Sequence, residues 1–356
     1  MLKVGCKYTI FFMLHKPKFK IYFIQKERRK NRNSRCFRHL ITLANLQEIR
    51  IFATKKISTM NPRTITLLIL LTVCYQSVLK AQNKTTLAYN LTVGDTITVA
   101  QTAVQEIKQD LEGVVNTMTN RIEGVYKLKV LSATDEQIVL ESSFHSLKFE
   151  TVSDLYGILF EVDTDTAPEG DPMMYQIFQG LLHTPLTLTL RKDGYIQKLE
   201  GTEELISSMI ANMNLEDEFS EAMIKKMVEK DFGNESLQES MTQMFYIFPV
   251  EKVAVGDTWE NSYTGELSAN NTWTLSSLSN DTAELTANSD IVAKTDDDSV
   301  TMEMTGTQTT AATITLENGF FEEMVTQQSM SGTAVMKQMN AIEIPTTIEG
   351  TITFKK

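Results

Sequence analysis

Leu186-Thr-Leu188-Thr-Leu190 alternates apolar and polar residues without a break and runs into Asp193-Gly194. A side chain on every second residue faces the same side of a β-strand, so this pattern specifies a strand with one buried and one wetted face. The pattern recurs along the chain. Leu87 to Leu91, Tyr126 to Val130, Ile138 to Phe144, Trp273 to Leu275, Val300 to Met304, Ala312 to Leu316 and Ile348 to Phe354 all alternate. Turn residues separate them: Gly94-Asp95, Thr134-Asp135, Pro168-Glu-Gly170-Asp171 and Asp193-Gly194. Half-buried strands joined by short turns predict antiparallel pairing. Asp193-Gly194 between two strands predicts a type I′ hairpin.

One stretch breaks the two-residue period. From Thr202, a helix-capping residue followed by Glu203 and Glu204, apolar residues recur at helical spacing: Leu205, Ile206, Met209, Ile210 and Met213. Phe219, Met223, Ile224, Met227 and Val228 form a second stripe, and Leu237, Met241, Met244 and Phe245 a third, beyond Gly233-Asn234. Two or three amphipathic helices are expected, ended by Pro249. The flanking β regions echo each other. Thr92-Val-Gly94-Asp95-Thr96 matches Ala254-Val-Gly256-Asp257-Thr258, and Leu188 to Tyr195 matches Ile314 to Phe320 in the same order. The expected fold is α+β and mostly antiparallel: one or two curved sheets in two related halves, with an inserted helical block. Short turn motifs also recur by chance in β proteins, which is the alternative.

The charge distribution divides the chain differently. Residues 1–59 carry 15 Lys/Arg against 2 Asp/Glu, whereas residues 82–356 carry 17 against 43, a net charge of -26. Between them, Met60-Asn-Pro-Arg63 precedes an apolar run from Thr64 to Tyr75, and Ala81 offers a small residue before a cut. This reads as a secretory signal peptide over 60–81, too short for a membrane span of roughly 20 residues. A signal peptide works at a chain start. Residues 1–59 are therefore expected to be upstream sequence read in frame, outside the folded molecule, with a basic extension for nucleic acid or anionic membranes as the alternative. The remaining divisions are an N-terminal β half (82–201), the Met-rich helices (202–248) and a C-terminal β half (249–356). Cys6, Cys36 and Cys74 all precede Ala81, so a chain starting at Gln82 has no disulfide, thiolate metal site or cysteine nucleophile. Lipid anchoring at Cys74 is the minor alternative, because the bulky Val73 precedes it.

A signal peptide, then Tyr89-Asn-Leu91 with Gly94-Asp95, then a threonine-rich β chain resembles an uncharacterised family of exported, β-rich proteins from Bacteroidota. Pro249, Val253 and Gly256 to Trp259 fit the same pattern. These motifs are structural turns. The resemblance implies export and a curved antiparallel sheet, and brings no activity with it.

The chemistry-bearing residues are sparse. His145 and His183 are the histidines beyond Ala81, and no His-Glu-x-x-His, Gly-x-Ser-x-Gly or phosphate-cradling glycine loop occurs. No catalytic residue, metal ligand or cofactor is expected. Asp163-Thr-Asp165 and Asp296-Asp-Asp298 are read as solvated turns. Thr96, Thr166, Thr282 and Ser299 follow aspartate and precede an apolar residue, a pattern of O-glycosylation. Met209, Met213, Met223, Met227, Met241 and Met244 are the candidate lining of an apolar cavity, with packing onto the sheet as the alternative.

The expected function is that of an exported envelope protein, periplasmic or extracellular, binding a hydrophobic or lipid-like ligand between curved sheet and helices. A structural or interaction module is the first alternative and a carboxylate-dependent hydrolase the second. Nucleic acid is excluded by the net charge of residues 82–356. No transmembrane segment is expected beyond Ala81, and oligomeric state is not legible.

Overall fold

The structure is a computed structural model that describes residues 84–168, 172–211, 213, 218–296, 300–337 and 341–356. The expected signal peptide, the proposed start at Met60, all three cysteines and Ser299 lie outside the described residues.

The described residues form one antiparallel sheet of twelve strands with four helices. The first half contains β1 (Thr96–Leu111), β2 (Val114–Ala133), β3 (Gln137–Ser153), β4 (Gly157–Asp163), α1 (Met173–Leu181), β5 (Leu186–Arg191) and β6 (Ile196–Glu200). Three helices follow: α2 (Thr202–Ala211), α3 (Glu218–Phe232) and α4 (Asn234–Phe245). The second half is an unbroken meander of β7 (Thr258–Tyr263), β8 (Leu267–Leu278), β9 (Thr282–Asp296), β10 (Val300–Thr315), β11 (Phe321–Met336) and β12 (Ile342–Lys355). The strand order is β6-β5-β3-β2-β1-β12-β11-β10-β9-β8-β7, with β4 also paired to β3. The two meanders thus join where β1 pairs with β12, and β6 and β7 form the edges.

The halves share local geometry. In the first, the Gly94 amide donates to the Val130 carbonyl (3.0 Å), Val130 N–H to Asp95 O (2.9 Å), and Thr92 N–H to the Asp95 carboxylate (2.9 Å). In the second, Gly256 donates to Leu275 (2.8 Å), Leu275 to Asp257 (3.2 Å), and Ala254 to the Asp257 carboxylate (3.0 Å). Each Val-Gly-Asp turn therefore leads into the first strand of its half and is pinned to the second. The other echo is shifted. Arg191 N–H donates to Tyr195 O across three residues, whereas Thr315 N–H donates to Phe320 O across four. The second copy's hairpin is one residue longer, so Leu190 corresponds to Ile314.

The Asp193-Gly194 hairpin forms, but not as type I′. Gly194 has φ +91° and Asp193 is not in the left-handed region. This is the geometry of a three-residue loop closed by a left-handed glycine. The β1–β2 hairpin has left-handed residues at both central positions, Glu112 (φ 53°) and Gly113 (φ 90°).

The sheet is strongly curved. Tyr89 N–H donates to Lys192 O in the β5–β6 turn, and Asn90 N–H donates to Asn318 O in the β10–β11 turn. In a flat sheet, β5 and β11 would stand five strand spacings, roughly 24 Å, apart. Two consecutive residues reach both only because the sheet curls. Tyr89 also packs against Phe245, Phe248 and Phe320, with ring centroids 6.2, 4.9 and 6.1 Å away, which plugs that end with apolar surface.

The edges are covered by α4 and the chain after it. Asn234 Nδ2 donates to Leu199 O (2.7 Å), on the free side of β6. Beyond α4, the Tyr246 and Ile247 carbonyls accept from Asn261 Nδ2 (2.7 Å) and Trp259 Nε1 (3.0 Å) on β7. Exposed edge strands invite pairing with another chain; at β6 side-chain amides of α4 take up edge carbonyls, and at β7 the strand's own side chains hold the segment after α4 beside it. The helix α1 falls inside the N-terminal β half, where the sequence reading expected no helix. It packs against α2 so closely that a Cβ on Gly180 would meet Ser208 O at 2.3 Å.

Candidate functional site

Alternation places one set of side chains from each strand on the inner face of the curl, and these residues are buried across almost the whole sheet. Toward the end that carries the β1–β2 hairpin tip, the face is mostly apolar, with Gln109, Asn116, Ser153 and Thr346 buried among the apolar side chains. Ile107, Met118, Leu267, Ala269, Ile291, Ala293, Val300, Met302, Met304, Met330, Ala334, Met336, Ile344 and Ile348 form one cluster there. Five of these are methionines. Methionine is unbranched and polarizable, so a surface built from it repacks around different shapes at little cost. Just beyond the cluster, the turns at the tip expose Val114, Val115, Leu155, Tyr156 and Ile158. Asp154 ties the two turns together: its carboxylate accepts from Thr117 N–H (2.9 Å), and its own N–H donates to Thr117 O (2.9 Å).

A polar row crosses the inner face beside this cluster. Strand register puts Thr151, Asn120, Gln105, Gly350, Gln328, Gln308, Ser289, Asn271 and Asn261 directly opposite one another, in that order, from β3 to β7. All except Thr151 and Gly350 are buried. The ends of the row are hydrogen-bonded. Thr151 Oγ1 donates to Asn120 Oδ1 (2.8 Å), Asn120 Nδ2 to Gln105 Oε1 (3.2 Å), Ser289 Oγ to Asn271 Oδ1 (2.6 Å), and Asn271 Nδ2 to Asn261 Oδ1 (2.9 Å). The middle is not. Gln105 Nε2, Gln328 Oε1 and Gln308 Oε1 have no hydrogen-bond partner. Gly350 interrupts the row there, and a small cavity opens between Gln105, Asn120, Gln328 and Gly350, with room for about one water. The buried Tyr263 hydroxyl lies against Gln308 without hydrogen-bond geometry; burial pushes its pKa up, so it stays a neutral phenol. Tyr126, raised in the same way by burial, donates to Gln101.

Among the described residues, the inner face of the sheet carries no buried charge. Asp193 is the one buried carboxylate among the described residues, and it belongs to the β5–β6 turn, bound to the Arg191 guanidinium and to Tyr195 N–H. Among the described residues, no three His, Cys, Asp or Glu side chains converge as a metal site. Asp163 closes a turn on Asp165 N–H (2.9 Å). His145 and His183 stack edge to face with centroids 4.6 Å apart, and His145 is held below its ordinary pKa by burial, then by Lys127 and His183.

The six helical methionines do not form one lining. Met209 on α2 and Met241 and Met244 on α4 are buried; Met213 and Met227 are half-buried; Met223 on α3 is 52 % exposed. None belongs to the methionine cluster of the sheet. That cluster was visible in sequence only as strand alternation, as in Val300 to Met304. Of the other candidate positions, Thr96 and Thr166 are exposed and Thr282 is half-buried against Ser279.

Comparison with known proteins adds a family. A family model described as "Family of unknown function (DUF6263)" matches residues 135–321, more than half of the chain. The chain belongs to this family. In this DUF6263 protein, the matched region runs from β3 through the helices to the start of β11, and so contains both sheet edges and the block that joins them. No curated protein matches the chain. Among solved structures, it is similar to one titled "Lipid-protein interactions in lipovitellin", with 10 % identity and a TM-score of 0.43 over 74 % of this chain. It spans a quarter of that chain's length. No helix among the described residues is long and apolar enough to cross a membrane.

Proposed function

We propose that this DUF6263 protein is exported to the cell envelope, periplasmic or extracellular, and holds an apolar, lipid-like molecule against the inner face of its curved sheet. The observation that carries this reading is the buried methionine cluster of Met118, Met302, Met304, Met330 and Met336. Five adaptable side chains on one enclosed face suit a compartment that fills itself when empty and repacks around a guest. The exposed apolar tip beside the cluster gives such a guest a route in from another surface. Export rests on the residues from Met60 to Ala81; N-terminal sequencing of the native protein is expected to start near Gln82. Thr96 and Thr166, both exposed, are the positions where O-glycosylation is sterically open.

A fluorescent acyl-chain probe tests the binding reading. Saturable, blue-shifted emission is expected, weakened in the double variant Met302→Gln, Met304→Gln. Emission that never saturates contradicts it.

A second reading, an envelope interaction module, is favoured by the same tip. Val114, Val115, Leu155, Tyr156 and Ile158 form an apolar patch of the kind that meets partner proteins. The two readings separate on whether the inner face takes up a small molecule.

A further inference from the structure

The inner face is mostly apolar on both sides of the polar row, interrupted by Gln109 and Thr346 toward the tip and by Gln101 and the hydrogen-bonded Thr310 and Thr326 on the other side. On one side lies the methionine cluster; on the other lie Ala103, Ile122, Ile352, Ala287 and Trp273. A protein gains nothing in stability from eight aligned polar side chains through such a core. Each buried amide atom left without a partner costs stability, and three stand at the centre of this row. Both ends of the row are hydrogen-bonded within the protein, so the row's own deficit lies in the stretch around Gly350; Gln109, two turns of the pleat nearer the tip on β1, carries a second one, with both amide atoms unpartnered.

Resting on the ligand-binding reading above, we propose that this central stretch, Gln105, Gly350, Gln328 and Gln308, seats the polar head of the ligand, and that the ligand is an uncharged amphiphile. Three features set the head's chemistry. A carboxamide offers a donor and an acceptor, and the free atoms are of both kinds, Gln105 Nε2 against Gln328 Oε1 and Gln308 Oε1. The head must therefore both donate and accept, as a hydroxyl or an amide does. No charged side chain is buried among the described residues apart from Asp193 in its turn, so an ionised carboxylate or phosphate would enter without a counter-charge, at high cost. The missing side chain at Gly350 is what leaves the gap, because a Cβ there would stand 3.0 Å from Gln328 Nε2. The tail then lies among Met302, Met304 and Met330, which flank the row on the tip side.

Three probes with the same tail length separate head from tail: 1-monooleoylglycerol, oleate at pH 8, and 1-octadecene, each titrated into the whole protein. Wild type is expected to bind the monoglyceride about tenfold or more tighter than the other two, as hydrogen bonds otherwise left unmade would give. Gln105→Leu with Gln328→Leu removes the free amides and is expected to abolish the preference while octadecene binding holds or improves. Gly350→Ala keeps every polar group and fills the gap, and is expected to weaken the monoglyceride selectively. Circular dichroism confirms that each variant folds. Equal binding of all three probes by wild type would overturn the head-group proposal and leave apolar binding standing. No saturable binding of any probe would overturn both. An unchanged preference in the double leucine variant would show the row to be a hydrated structural layer.

Discussion

The Tyr89 hydroxyl donates to the backbone carbonyl of Phe245 at 3.1 Å, joining the segment before β1 to the end of α4. Tyr89 is fully buried, and desolvation raises its pKa well above that of a free phenol, so it remains a donor at any physiological pH. One side chain thus ties the start of the first half to the helical block that covers both sheet edges. Tyr89→Phe keeps the ring packing and deletes the bond. It is expected to cost about 1 kcal/mol and lower the thermal midpoint by roughly 2–4 °C. An unchanged midpoint would show that the closure does not depend on this bond.

Gly194 separates closure from local turn strain. Its φ is +91°, and a Cβ there would stand 1.7 Å from Phe245 O. Gly94 has a similar φ of +95° with nothing within 4 Å. Gly94→Ala is expected to lose about 1 kcal/mol, the cost of left-handed backbone alone. Gly194→Ala must also push the chain at Phe245 away from the turn, so a loss above about 3 kcal/mol is expected by urea unfolding. Equal losses would contradict the close approach of α4's end to the β5–β6 turn.

Acid should loosen the contact between the middle of β3 and the residues after α1. His145 has a folded pKa below its ordinary value of 6.5, through burial and the positive charges of Lys127 and His183. The unfolded chain therefore binds the proton first. The contribution of this group is intact above about pH 6.5, falls as pH drops from there through the lowered folded pKa, and levels off beneath it. In thermal melts from pH 8 to pH 5, wild type should lose more stability than His145→Gln. Parallel curves would rule the contribution out.

Much of this architecture is legible in the sequence. The alternation in Leu186 to Leu190 and Ile348 to Phe354 gives strands with the expected burial, and the helical stripes place Met209, Met241 and Met244 in the core. Met223 shows the limit of that reading: α3 buries the face of Ile224, Val228 and Phe232, and Met223 stands off that face with the exposed Lys225 and Lys226. The turn at Asp193-Gly194 was read with the wrong loop length, since φ at an aspartate depends on which residues pair across it. The polar row is harder still. Gln105 falls in the inward phase of β1, where it reads as a lapse in an apolar stripe. Its meaning depends on Gly350 opposite, far along the chain, and a register between such distant strands is not written in either one alone.

The central claim is that the inner face of the curl takes up an uncharged amphiphile. Organic extraction of the protein purified from its native host, followed by mass spectrometry, tests it most directly. The expected result is a stoichiometric neutral lipid with a hydroxyl- or amide-bearing head, depleted in protein carrying Gln105→Leu with Gln328→Leu. Protein that arrives empty, or that carries only anionic lipids at levels the double variant does not change, would contradict it.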